Sequence, residues 1–145
     1  MLARSAAPQR PANAPPAAIA VRPSLTFHYD ETDRIVRTTG VGTWTIDIIE
    51  AHIRAIAPLL RKVREQDGKV LAMVDLTRAP LQSAEVTRRI LDPNGPLCGA
   101  GDRVALIVQS SLLKVQMKRV DGNDDIAVFI SPYAARTWLC AYRHG

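Results

Sequence analysis

Three short apolar runs constrain this chain more than any other feature. They occupy residues 70–75, 104–108 and 126–130, and each is almost continuous in Val, Leu, Ala, Met, Ile or Phe. Such runs read as strands covered on both faces, where the alternation of a half-exposed strand is lost. Helical patterns separate them, and strands joined through helices pair in parallel by right-handed crossovers. The chain therefore reads as an α/β layer with helices draped over it.

An antiparallel hairpin precedes the parallel part. Leu25, Phe27 and Tyr29 alternate with polar residues, Asp30, Glu31, Thr32 and Asp33 make a turn, and residues 34–39 are a second β-rich run that Gly40 and Gly42 end. A helix begins near Thr45, a capping residue, with Asp47 at its positive end. Ile46, Ile49, Ile53, Ile56, Leu60 and Val63 recur at spacings of three and four and form one apolar stripe that Gly68 closes. Pro58 inside it predicts a kink or break, since it removes an N–H and crowds the carbonyl of Arg54. Ser83 caps a second helix, Ser110 or Ser111 a third, and Ser131-Pro132 opens the last. The order is ββαβαβαβα: a mixed five-stranded sheet with an N-terminal antiparallel hairpin and four helices. The helices should lie mainly on one face or split unevenly, because Phe27 and Tyr29 also need cover.

Residues 1–23 hold eight Ala, five Pro and no aromatic residue, which is too little apolar surface to offset the entropy of ordering them. They read as a disordered leader, with the domain spanning residues 24–145. Prolines interrupt every candidate for a secretory h-region. The formal charge is +5, but the leader contributes +3, so the domain itself carries only +2. With 5% aromatic residues and no dense basic stripe, nucleic-acid binding is not expected. No apolar run of 18 residues exists, so no integral membrane segment is expected. Cys98 and Cys140 lie 42 residues apart without a CxxC pattern, which excludes a disulfide scaffold and suits a reducing cytoplasm.

The chain resembles the STAS/SEC14 (SpoIIAA-like) superfamily of small bacterial regulators and lipid-carrying domains over about residues 25–142. The matching pieces are Gly42-x-x-Thr45 before the long helix, Val74-Asp75-Leu76 at a strand end, and Asp102-Arg103-Val104-Ala105 opening another strand. Val128-Phe129 and Ser131-Pro132-x-Ala134-Ala135-x-x-Trp138-Leu139 complete the set. The likeness is closest to uncharacterised bacterial SpoIIAA-like proteins. It implies a non-enzymatic regulatory module that binds a protein partner, anti-sigma-like or another regulator, and it leaves room for a homodimer. The alternative it implies is a SEC14-like carrier of a small apolar or lipid-like ligand between a movable first helix and the sheet. Members that switch by phosphorylation carry an Asp-Ser pair after the central strand. Here the segment is Pro80-Leu81-Gln82-Ser83-Ala84, so Ser83 is the candidate phosphoacceptor without its Asp, and a plain helix cap is the better reading.

Chemistry is sparse. Asp75 ends a central strand, where open α/β sheets bind ligands. It could act as a base but more often such a residue bonds turn amides. Asp102 anchors a loop. Cys98 sits near Arg103, which could lower its pKa, but has no His partner for nucleophilic catalysis. His28, His52 and His144 lack the partners of a metal site and read as surface or cap residues. Gly40-Val41-Gly42 and Gly99-Ala100-Gly101 are not phosphate loops, and no cofactor is expected. The candidate binding residues are Asp75, Thr77, Arg78, Ser83, Ser110 and Ser111, with no catalytic residue and no metal ligand among them. An enzyme would need at least two polar side chains converging near Asp75.

Overall fold

Strands β1 (Ser24–Asp30) and β2 (Ile35–Val41) form the expected hairpin in this computed structural model, which describes residues 22–120 and 125–141. The leader reading for residues 1–21, the turn at 121–124, Tyr142 and His144 fall outside the described residues. Asp30 shapes the turn: its Oδ1 accepts from the N–H groups of Thr32 (3.0 Å) and Asp33 (3.1 Å), and Asp30 then pairs with Ile35. β2 does not end at Gly40 but continues to Val41. Gly40 is tolerated in the strand because the Trp44 indole lies against it, where a Cβ would collide with the ring.

Helix α1 (Ile46–Asp67) follows the sequence reading closely. Thr45 Oγ1 accepts from Ile48 N–H at 3.2 Å, and Gly68 ends the helix at φ 83° with its N–H on the Arg64 carbonyl. The expected break at Pro58 does not occur, since the helix is continuous and Pro58 faces solvent. A proline inside a helix costs about 3 kcal/mol. Buried Ile53 and Ile56 before it and Leu60 and Val63 after it each gain roughly 1.5–3 kcal/mol, which outweighs that cost.

The remaining elements are β3 (Leu71–Arg78), α2 (Ala84–Ile90), β4 (Arg103–Ile107), α3 (Ser111–Val120), β5 (Ile126–Phe129) and α4 (Pro132–Ala141). The sheet runs β1-β2-β3-β4-β5, antiparallel at the hairpin and parallel from β2 onward. Because each successive parallel strand is added on the same side, right-handed crossovers put α1, α2 and α3 on one face. Among the described elements only α4, which follows the last strand, covers the other. The side chains divide accordingly. Leu71, Met73, Ala105 and Ile107 pack with Ala135 and Leu139 of α4, while Val36 and Val70 pack with Ile56, Leu60 and Val63 of α1.

Two buried carboxylates fasten this frame. Asp102 accepts from the N–H groups of Val70 (2.8 Å) and Gly99 (2.8 Å) and from Arg64 Nη2 (2.7 Å), so one side chain joins the end of α1, the approach to β3, the loop at 92–102 and the start of β4. Asp33, at the hairpin turn, receives Arg136 of α4 through two bonds of 2.7 and 2.8 Å and Arg37 at 3.1 Å. The Arg136 guanidinium holds the Asp33 carboxyl down to about 2, against a desolvation effect of opposite sign.

A carboxylate with a depressed native pKa stabilises the fold above its unfolded value and stops doing so as pH falls through the native one. Asp33→Asn is therefore expected to cost about 1–2 kcal/mol near neutral pH, since Arg136 is half exposed. The gap to the wild type should close between about pH 4 and pH 2. Urea denaturation across that range measures it, and a gap that stays constant with pH would refute the assignment.

Candidate functional site

The two faces of the sheet are packed very differently. On the α4 face Ala105, Ala135 and Leu139 are 0% exposed. On the other face Ala72, Val74, Val104, Leu106 and Ile126 are only half-buried. Above them lies a cavity of about 820 Å³. The gap follows from where α2 docks. Its one fully buried residue, Val86, packs with Trp44, Ile49, Ile53 and Ala79, and Arg89 holds Glu50 of α1 through bonds of 2.6 and 3.1 Å. α2 thus leans on α1 and the β2–α1 junction, leaving the middle of the sheet open on this face. Leu97 and Cys98 of the 92–102 loop and Leu113 of α3 supply other parts of the wall.

The cavity lining is apolar with a few polar groups. Trp44 closes one end, with Nε1 donating to the carbonyls of Val41 (3.1 Å) and Ser24 (3.2 Å). Gln82 fixes the adjoining rim: its Oε1 accepts from Trp44 N–H at 2.8 Å, and its Nε2 donates to the carbonyls of Gly42 and Pro80. His52, expected at the surface, instead packs edge-on against Phe27 with ring centroids 5.8 Å apart and lines the cavity. Burial lowers its pKa, and its Nδ1 is buried without a hydrogen-bond partner among the described residues. Arg88, Leu81, Ala84 and Pro93 form an exposed part of the rim.

The residues singled out from sequence do not converge here. Asp75 lies within β3, which runs three residues further than expected, to Arg78. By strand alternation Asp75 and Thr77 point away from the cavity, while Val74 and Leu76 point into it. Asp75 Oδ1 accepts from the N–H (2.9 Å) and hydroxyl (2.7 Å) of Thr77, a local turn-type pairing. Arg78 is exposed at the strand end. Ser83 caps α2, with Oγ accepting from Val86 N–H at 3.2 Å. Ser110 rather than Ser111 caps α3, accepting from Leu113 N–H. Cys98 Sγ lies 3.9 Å from the Ile90 carbonyl, and Arg103 is engaged with Asp125 at 2.8 Å. Among the described residues no group of three or more His, Cys, Asp or Glu is placed to hold a metal ion, and no helix is long and apolar enough to cross a membrane.

This architecture is the SpoIIAA-like, STAS-type fold. A solved structure of an uncharacterised DUF3478-family protein from Shewanella loihica PV-4, described as having a SpoIIAA-like fold, superposes with a TM-score of 0.55 at 17% identity. The match covers 83% of this chain and 98% of that one. No protein-family model and no curated protein matches the sequence.

The Ser83 geometry yields a test of its capping role. Ser83→Ala is expected to lower stability by about 1 kcal/mol, whereas Ser83→Asp, an equally good cap, should be close to neutral. Thermal denaturation of the two variants decides this, and equal losses would contradict a capping role.

Proposed function

We propose that this protein is a non-enzymatic binder or carrier of a small apolar molecule, held between the sheet and the α1–α2 layer in the manner of SEC14-like domains. One observation carries the reading: the 820 Å³ space over half-buried aliphatic residues of β3, β4 and β5. Ligand pockets run from about 300 to 1,000 Å³ and are mostly apolar with few polar groups. A sealed dry void of that size would cost about 20 kcal/mol at ~24 cal/mol per Å³. That exceeds the roughly 5–15 kcal/mol that holds a domain together. The space is therefore wet or filled, and its aliphatic walls favour an apolar occupant. The non-enzymatic part of the reading is supported by Asp75 and Ser83, each of which serves its local backbone.

Gentle extraction or native mass spectrometry of the purified full chain should release an apolar molecule. Val74→Phe, which projects into the space, should weaken uptake of an alkyl-chain probe about tenfold or more, equivalent to ~1.4 kcal/mol, with little change in Tm. A wild-type protein that is empty and takes up no such probe overturns the reading.

A second reading, a protein-binding regulatory module, is favoured by a different observation. Leu81, Leu112, Ile130 and Tyr133 are all exposed, and each follows the carboxyl end of β3, β4 or β5, so they share one edge of the molecule with Arg78, Ser110 and Ser111. The occupant would be an anti-sigma-like or other regulator, or a second copy of this chain. Leu112→Asp should abolish self-association in sedimentation if the edge joins two copies. A wild type that is monomeric at high concentration removes the homodimer from this reading.

A further inference from the structure

Building on the apolar-ligand reading, we propose that the bound molecule is an amphiphile with a single anionic head group, and that Arg88 at the cavity rim receives that group. The charges of the lining lead to this. Among the described residues lining the cavity, Arg88 is the only Lys or Arg and Asp92 the only Asp or Glu. Two adjacent arginines on α2 have opposite fates. Arg89 is shared between Glu50 at 2.6 Å and Asp92 at 4.0 Å, while Arg88 forms no ion pair among the described residues. Asp92 is occupied in turn, since its Oδ1 accepts from Asn94 N–H at 2.9 Å and its Oδ2 faces Arg89. Arg88 is therefore the one charged side chain of the lining with no side chain of opposite charge within 4.0 Å among the described residues, and it lies at the exposed edge.

The opposite wall carries no such charge. His52 on α1 is held neutral by burial, and the sheet residues lining the cavity are aliphatic except for Thr38, which is uncharged. Gln82 has both donor and acceptor committed to the backbone. A ligand thus meets aliphatic and aromatic surface inward and a guanidinium outward. Guanidinium pairs with carboxylate or phosphate oxygens through two parallel bonds, while an alcohol or amide gains nothing comparable from it. A neutral hydrocarbon would leave Arg88 unused, and a cationic amphiphile would be repelled by it.

The experiment is calorimetric titration of the purified full chain with decanoate, decyl phosphate and decanol. Wild-type protein should bind at least one of the two anions about tenfold more tightly than the alcohol, and which anion is preferred identifies the head-group chemistry. Arg88→Gln should bring the preferred anion to the level of decanol while leaving decanol unchanged, and Arg88→Lys should restore part of the difference. Equal binding of all three ligands to the wild type overturns the head-group assignment but leaves the apolar cavity reading standing. So does an anion preference that survives Arg88→Gln. Binding of none of the three overturns both.

Discussion

Everything in this molecule depends on the strands being added in one direction. After the hairpin, each parallel strand lies beside the last, from β2 to β5 without reversal. Three right-handed crossovers then stack their helices on one face, and the opposite face is left to a single terminal helix. Five strands offer more area than a short α2 can cover. That helix has seven residues, a length of about 10 Å, against about 33 Å for the 22-residue α1. Once Val86 and Arg89 commit α2 to α1, no element remains to close the middle of the sheet.

The consequence is a division between a face that stabilises and a face that is available. Beneath α4 small residues bring helix and sheet close together. Ala105 and Ala135 leave room for Leu139, and Phe129 stacks at a tilt with Trp138 at 5.7 Å. The hairpin is bound to that same helix through Asp33 and Arg136, 103 residues apart, so a tie between distant parts of the chain lies on the closed side. On the open side Asp102 holds the 92–102 loop as part of the cavity wall. Its backbone N–H to the Gly99 carbonyl and its carboxylate to Gly99 N–H make that segment a tight, internally bonded turn.

Much of the fold was legible because it is written in local signals. Thr45, Ser83 and Ser131 cap where capping residues are expected, Gly68 terminates α1, and the isoleucine stripe of α1 is buried at every turn. Asp102 anchors its loop as its position suggested. The site was hardly legible at all. A run such as residues 70–75 looks the same whether its second face meets a helix or an empty space, since both demand aliphatic side chains. Asp75 stands out in the sequence as a polar residue at the end of an apolar run, yet alternation turns it away from the cavity. His52 reads from sequence as a surface or cap residue, although its place one turn from Ile49 and Ile56 puts it beside the buried stripe. Pro58 misled because its penalty is local, while the packing that overrides it comes from residues on both sides.

The placement of the two tryptophans gives the molecule an internal pair of optical reporters. Trp44 forms part of the cavity wall, and Trp138 belongs to the terminal helix on the far side of the sheet, packed against Phe129. A molecule entering the cavity perturbs the first indole and leaves the second untouched. Loosening of the α4 layer does the reverse. Occupancy and integrity of this domain are thus separable by its own fluorescence, without any added label.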